Sequence, residues 1–256
     1  MPRSIRIIAF VLIVPFLVQG CTGMLKSSWR DFNAYFNTYY NAKTSYERGV
    51  ELQEQQEITI NPERPIRVHP TPRRAGLSEF EHAAQKSGDV IRFHPRSRWV
   101  DNAIMMIGKS YFYQQRYFSA DQKFVELLAN TSDPALRQEA IFWRGRAALE
   151  LENYMEGINY IQSRLFSTEF EWDRRLEADV RMIIAQLLVA RGEYEEAVEY
   201  IAEALPNIRS RRLEMRAWFL NGQLLESLER YDEAYEAYRR ATHQSNPNYD
   251  LIYYAE

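Results

Sequence analysis

Apolar and small residues recur along most of the chain with a period of 37 to 40 positions. The markers of this period are four tyrosines, at 117, 154, 194 and 231. Nine positions before each tyrosine stands a small residue, and the four are Gly108, Gly145, Ala185 and Gly222. Seven positions after each tyrosine stands a large apolar residue, and the four are Phe124, Ile161, Ile201 and Tyr238. This regular recurrence predicts a stack of structural repeats.

Each repeat is predicted to be a pair of amphipathic helices joined by a short turn. In the copy around Tyr117, Ile104 and Ile107 share one face of the first helix, and Phe124 and Leu127 face back from the second. We expect the small residues to lie where the two helices of a pair cross, because a larger side chain would separate the backbones. Residues 98–246 therefore predict four helix pairs.

The segment before these repeats, residues 29–97, predicts a less regular first helix pair. An aromatic-rich helix is expected over 29–52, and its partner over 76–93. The insert between them, at about 53–75, holds four prolines, Pro62, Pro65, Pro70 and Pro72. Proline disrupts helices and favours extended backbone, so the insert is expected to be an extended, exposed loop.

Residues 247–256 predict the start of a further helix. Solenoids normally end in a polar capping helix, and the sequence contains none at this end. We therefore expect the chain to be a fragment of a longer protein, or its end to require a partner.

Residues 1–20 predict a secretory signal peptide. Arg3 and Arg6 form a basic head, and an apolar run of about a dozen residues follows, whereas a membrane span needs about 20. The run ends in Leu17-Val18-Gln19-Gly20-Cys21, which resembles a bacterial lipobox, and Cys21 is the one cysteine of the chain. The resemblance implies lipidation of Cys21, with residues 21–28 as the tether. The alternative is an anchor or ordinary signal peptide with a chance cysteine.

No acidic cluster follows Cys21. By the sorting rules of the lipoproteins that the lipobox resembles, this implies attachment to the outer membrane with the protein facing the periplasm. A doubly or triply acylated cysteine would hold the chain stably at that membrane.

Three positions after the tyrosines stand further small residues, Ala120, Gly157, Ala197 and Ala234. The repeat pattern resembles the tetratricopeptide repeat, in which small, aromatic and alanine positions follow one another in this order. The resemblance implies an all-α, tetratricopeptide-repeat α-solenoid of antiparallel helix pairs. The lipobox, the YFNTYYNAK helix at 35–43, the proline insert and the RFHPRSRWV segment at 92–100 are together similar to tetratricopeptide lipoproteins of the Bacteroidota. Two groups are close: the BamD-like outer-membrane assembly lipoproteins and the gliding-motility or type IX secretion lipoproteins. Both imply non-enzymatic scaffolds that bind envelope proteins.

Composition and charge exclude several function classes. The formal net charge is −3, so no basic excess favours nucleic acid. The four histidines show no metal-ligand spacing, and no HExxH, GxSxG or P-loop pattern occurs. We therefore expect no enzyme activity, cofactor, metal or small-molecule substrate.

The candidate binding residues follow from solenoid geometry, because first helices line the concave face of such arrays. Three positions before each small crossing residue stands an apolar residue, and one position after it stands a polar one. The eight candidates are Met105, Phe142, Met182 and Phe219, with Lys109, Arg146, Gln186 and Gln223. Methionine and phenylalanine beside polar groups suit an extended peptide, although plain packing is the alternative for the apolar row.

Two further functions stay open at this point. The chain could be the targeting module of a longer envelope enzyme, or a cell-wall-associated repeat protein.

Overall fold

The computed structural model describes residues 31, 38–56, 60–168, 171–208, 210–242 and 249–255. This part of the chain is helical and contains no strand. The all-α solenoid expected from the sequence is confirmed. The predicted signal peptide, Cys21 and the tether lie outside the described residues.

Eleven α-helices in the described residues follow one another in chain order. They are α1 (Tyr40–Glu54), α2 (Leu77–Phe93), α3 (Val100–Tyr113), α4 (Tyr117–Asn130), α5 (Pro134–Glu150), α6 (Tyr154–Leu165), α7 (Arg174–Arg191), α8 (Tyr194–Ala204), α9 (Arg211–Ser227), α10 (Tyr231–Thr242) and α11 (Tyr249–Ala255). A 3₁₀ turn over Leu205–Asn207 follows α8.

The second helix of every regular pair begins at one of the four periodic tyrosines. The turn before it places one residue in the left-handed conformation, two positions ahead of the tyrosine. Those residues are Gln115 (φ 60°), Glu152 (φ 60°), Gly192 (φ 80°) and Glu229 (φ 58°). The shared backbone reverses the chain within three residues and sets each pair antiparallel. The starts of α5, α7 and α9 are capped by Asp133, Asp173 and Ser210.

Close helix crossings explain the small residues of the repeat. A Cβ added at Gly108 would lie 2.5 Å from the ring of Phe124, and one added at Gly145 would lie 2.6 Å from Ile161 Cδ1. At Gly222 the nearest atom would belong to Tyr238, at 2.6 Å. These close approaches lie between the two helices of one pair, where the small residues were predicted to lie.

One continuous apolar core runs along the solenoid between the two layers of helices, and its fully buried side chains include Phe112, Phe124, Ile183 and Phe219. The irregular first pair packs against the α3 end, where the Phe80 and Tyr113 rings stack at 4.6 Å. No helix among the described residues is long and apolar enough to cross a membrane.

The proline insert is extended over residues 60–75, as predicted, but the expectation that it is exposed holds for only part of it, such as residues 61–64. Residues 60–75, which we call the strap, contain no helix, and the side chains of Ile60, Ile66 and Val68 are buried. Ile66 and Val68 alternate with Arg67, so an extended backbone directs both apolar side chains to the same side. Burying them removes apolar surface from water, and this holds the strap on the repeats.

Candidate functional site

The strap lies along one face of the regular repeats, formed by the first helices of three successive pairs. Its early residues contact α9, His69 contacts α7, Pro70 contacts α5, and Pro72 reaches the turn after α3. The strap therefore crosses the repeats in the order opposite to their order in the chain. We call the surface beneath it the first-helix face, formed by Phe142, Arg146, Gln186, Arg216 and Gln223.

Two glutamines of this face hold the strap by its backbone. The side-chain oxygen of Gln223 accepts from the Ile66 amide at 2.9 Å, and that of Gln186 accepts from the His69 amide at 3.1 Å. The Nε2 of Gln223 also donates to the carbonyls of Pro62 and Arg64, at 3.0 and 2.9 Å. These bonds use main-chain groups, so they suit an extended polypeptide of many sequences.

Two buried arginines add further donors to strap carbonyls. Arg146 donates to Pro70 O at 3.3 Å, and its guanidinium lies 4.5 Å from the centre of the Phe112 ring. Arg216 donates to Arg67 O through Nε at 3.0 Å and Nη2 at 2.6 Å. Hydrogen bonds from charged donors are stronger than neutral ones, so these bonds fix the middle of the strap.

His69 is the one strap side chain that brings a titratable ring into the face. The ring is buried against Phe142, with 5.4 Å between the two ring centres, and its Nε2 has no hydrogen-bond partner. Burial lowers the pKa of His69 well below its usual value, and the charges of Arg146 and Arg216 lower it further. Docking of the strap therefore favours the neutral form of His69.

The C-terminal end of the strap is held by hydrogen bonds from outside the first-helix face. Gln115 donates to Pro72 O at 2.7 Å, and Gln53 at the end of α1 bonds the backbone of Arg73 and Ala75. Near the middle, Arg67 pairs with Glu150 at 2.5 Å. The end of α1, the turn after α3 and the end of α5 thus all bond to the strap.

The structure brings together part of the predicted polar row. Arg146, Gln186 and Gln223 contact the strap, whereas Lys109 does not. Lys109 instead pairs with Glu139 at 2.9 Å and lies 4.9 Å from the centre of the Tyr46 ring. Lys109 therefore serves the junction between the irregular first pair and the regular repeats.

The predicted apolar row lies mainly within the protein. Met105, Met182 and Phe219 are buried, and Phe142 supplies the surface on which His69 rests. No finding tests a partner at these positions, so their role in partner binding stays a prediction.

Arg216 is the strap-contacting residue that the sequence analysis missed. It precedes Gln223 by seven positions, two helical turns, and so shares its face of α9. That spacing is the signal that could have found it. The predicted row considered the position after each crossing residue and did not extend to this arginine.

Other chemically active side chains have structural contacts. His82 bonds Ser45 Oγ at 2.8 Å, and Asp173 accepts the first amides of α7. Among the described residues, no group of three or more histidine, cysteine or acidic side chains could hold a metal ion.

Comparison with known proteins supports the fold. Residues 144–212 and 185–249 match the family model of the tetratricopeptide repeat. Together with the helix pairs described above, this match makes the chain an all-α tetratricopeptide-repeat solenoid.

Two solved structures are similar to the chain. One is a crystal structure of MamA, with 16% identity over 64% of this chain and 87% of that one, and a TM-score of 0.49. The other is a second crystal structure of MamA protein, with 17% identity over 64% of this chain and 81% of that one, and a TM-score of 0.47. No curated protein matches the chain significantly.

Proposed function

We propose that this tetratricopeptide-repeat solenoid is a non-enzymatic scaffold that binds other proteins. Its fold typically serves protein interaction without catalysis, because stacked repeats present long surfaces to extended segments. One observation carries the proposal for this chain. Gln186, Gln223, Arg146 and Arg216 hold an extended polypeptide by its backbone, which is the chemistry that a peptide-binding face requires.

The first-helix face meets its partners with the strap in place. The strap covers Phe142, Arg146, Gln186, Arg216 and Gln223, so a partner on this side of the solenoid contacts the outer surface of the strap. Residues 61–64 are exposed there. The strap is then bound by the repeats, and it also forms part of the surface that contacts the partner.

The proposed location is the outer membrane, with the protein anchored through Cys21 and facing the periplasm. The support is the lipobox-like run that ends in the one cysteine of the chain. The similarity of the N-terminal segments to BamD-like lipoproteins supports a role in outer-membrane protein assembly or secretion. A scaffold of gliding motility or type IX secretion is the alternative within the same class.

Two other functions compete with this proposal. A catalytic domain could follow Glu256 in a longer reading frame, which the full gene sequence would reveal. A cell-wall-associated protein would be retained on purified peptidoglycan, whereas the proposed scaffold would not be.

Site-specific photocrosslinking in intact cells tests the proposal. A photoreactive amino acid replaces Glu63 on the strap in one variant and Glu199 on α8 in another; both glutamates are exposed. We expect a defined crosslinked envelope protein from position 63 and none from position 199. Crosslinks at position 199 alone, or at neither position, would contradict a partner on this face.

A further inference from the structure

A recess of about 340 Å³ opens in the curve of the strap. Residues 60, 61 and 64–67 line it, together with residues 70–73 further along the strap. Arg216 of α9 also lines it. The recess exists only while the strap is docked, because strap residues supply nearly all of its lining.

The recess is basic in a protein that is acidic overall. Four arginines line it, Arg64, Arg67, Arg73 and Arg216, and the described lining contains no aspartate or glutamate. One of them, Arg67, already pairs with Glu150 outside the lining. Residues 60–75 hold four arginines and one glutamate, whereas the whole chain has a net charge of −3. A recess lined by charges of one sign concentrates ligands of the opposite sign.

Arg216 is the most informative member of this set. Its side chain is only 3% exposed, and its Nη1 has no hydrogen-bond partner. Among the described residues, no carboxylate forms an ion pair with it. Burial lowers its pKa to about 10, and the neighbouring Arg212 contributes. A buried guanidinium without an opposite charge is costly, and an anion brought into the recess would offset that cost.

A second recess of about 230 Å³ adjoins the first and shares Pro70–Arg73 with it. Arg73, Arg146 and Arg212 line it, together with Glu54, which already pairs with Arg212 at 2.7 Å. Basic lining therefore continues from one recess to the next. A ligand with several carboxylates in a row fits this arrangement better than one compact anion.

We propose that the two recesses form a binding site for an acidic segment of a partner protein, whose aspartate or glutamate carboxylates pair with the arginines around the strap. This inference rests on the proposed scaffold function and names the chemistry of its partner. Arginine suits the role because its planar guanidinium binds a carboxylate through two parallel hydrogen bonds. Arg64, which is exposed, and Arg216, which is buried, both line the first recess, so a segment bound there would contact both.

The test measures binding of a fluorescent peptide of ten glutamates to the full chain by anisotropy, at low and high salt. The site variants are Arg64→Gln and Arg216→Gln, and the matched control is Arg174→Gln, an exposed arginine at the start of α7. All three remove one positive charge. We expect affinity to fall about tenfold in each site variant, to stay unchanged in the control, and to weaken with salt. Because Arg64 is exposed, its substitution should leave the fold intact, and circular dichroism checks both site variants.

Three outcomes would overturn the proposal. These are no binding by the wild type, equal loss in all three variants, or displacement of the peptide by an equal concentration of inorganic phosphate. A fourth arm uses phosphatidylglycerol vesicles. If the vesicles bind in an Arg216-dependent manner and the peptide does not, the site takes a lipid headgroup and the proposal is wrong. If position 63 crosslinks to a partner but the glutamate peptide does not bind, the scaffold function is still supported. Only the proposal that the partner segment is acidic would then be wrong.

Discussion

Gly145 shows how one residue sets the spacing of a helix pair. A Cβ at this position would lie 2.6 Å from Ile161 Cδ1 and 2.8 Å from Ile183 Cγ2. The first atom belongs to the partner helix α6, and the second belongs to the next pair, in α7. Gly145 therefore allows close approach both within a pair and between pairs.

Replacing Gly145 with leucine should force these helices apart and lower the free energy of unfolding by roughly 1–3 kcal/mol. Thermal melts of the chain lacking residues 1–21 would measure the change. Gly88→Ala in α2 is the control, because a Cβ there meets no atom within 4 Å. The control should be neutral or stabilising by up to about 1 kcal/mol, since alanine favours helix. Equal melting temperatures for Gly145→Leu and the wild type would contradict a close helix crossing at Gly145.

At the scale of elements, the strap is a separate unit held on the solenoid by a small set of bonds. Gln223 contributes three of them, to Ile66 N, Pro62 O and Arg64 O. These contacts join residues about 160 positions apart, whereas the contacts within a solenoid are mostly between neighbouring repeats. We therefore expect that weakening these bonds releases the strap before the helix pairs unfold.

Replacing Gln223 with alanine should loosen the strap without unfolding the repeats. The buried amide of Ile66 would lose its acceptor, at a cost of about 1–3 kcal/mol, so opening should rise about fivefold or more. Trypsin would report this as faster cleavage after Arg67, followed by mass spectrometry. Gln162→Ala, which removes a bond to Tyr200 on the second helices, is the control. Unchanged cleavage after Arg67 would show that Gln223 does not hold the strap.

The strap should also respond to pH through His69. Its pKa in the folded protein lies well below the value of about 6.5 in the unfolded chain, so below pH 6.5 the unfolded chain binds more protons. Stability should therefore fall as the pH drops below about 6.5, by up to about 1.4 kcal/mol per pH unit, until the folded pKa is reached. Asp179 has the opposite slope, because burial raises its pKa to about 6.

The difference between wild type and His69→Asn isolates the histidine, since Asp179 contributes equally to both. Melting temperatures measured from pH 7.5 to pH 5 should show the wild type losing more stability than the variant. Parallel curves would rule out His69 as the source of acid sensitivity.

At the scale of the whole molecule, the strap connects several repeats by contacting each of them. Its contacts extend from α9 to the turn after α3 and to the end of α1. The same contacts assemble the basic recesses, which no single repeat contains. The proposed binding surface is thus formed by the docked strap and the repeats together.

The proposed anchor also belongs to this scale. Replacing Cys21 with serine should release the protein from membranes or leave it unprocessed, because a lipobox requires the cysteine thiol. Metabolic labelling with a fatty-acid analogue, followed by membrane fractionation, would measure the effect. Labelling that persists in the variant would remove lipidation at Cys21 from the proposed function.

The sequence by itself determined the repeat, the helix pairs and the turns, because these depend on local periodicity. The tyrosines at 117, 154, 194 and 231 mark the starts of α4, α6, α8 and α10, and the small residues mark the crossings. It also placed Arg146, Gln186 and Gln223 in one polar row, since identical positions in successive repeats face the same side.

Only the tertiary structure decided what covers that row. Proline content predicted an extended insert, but docking joins residues as distant in the chain as Ile66 and Gln223, and no periodicity encodes such a pairing. The alternation of Ile66 and Val68 with Arg67 indicates that one side of the strap is buried, but it does not identify the surface against which that side packs. The burial of His69 against Phe142 and the recess around Arg216 both follow from that docking.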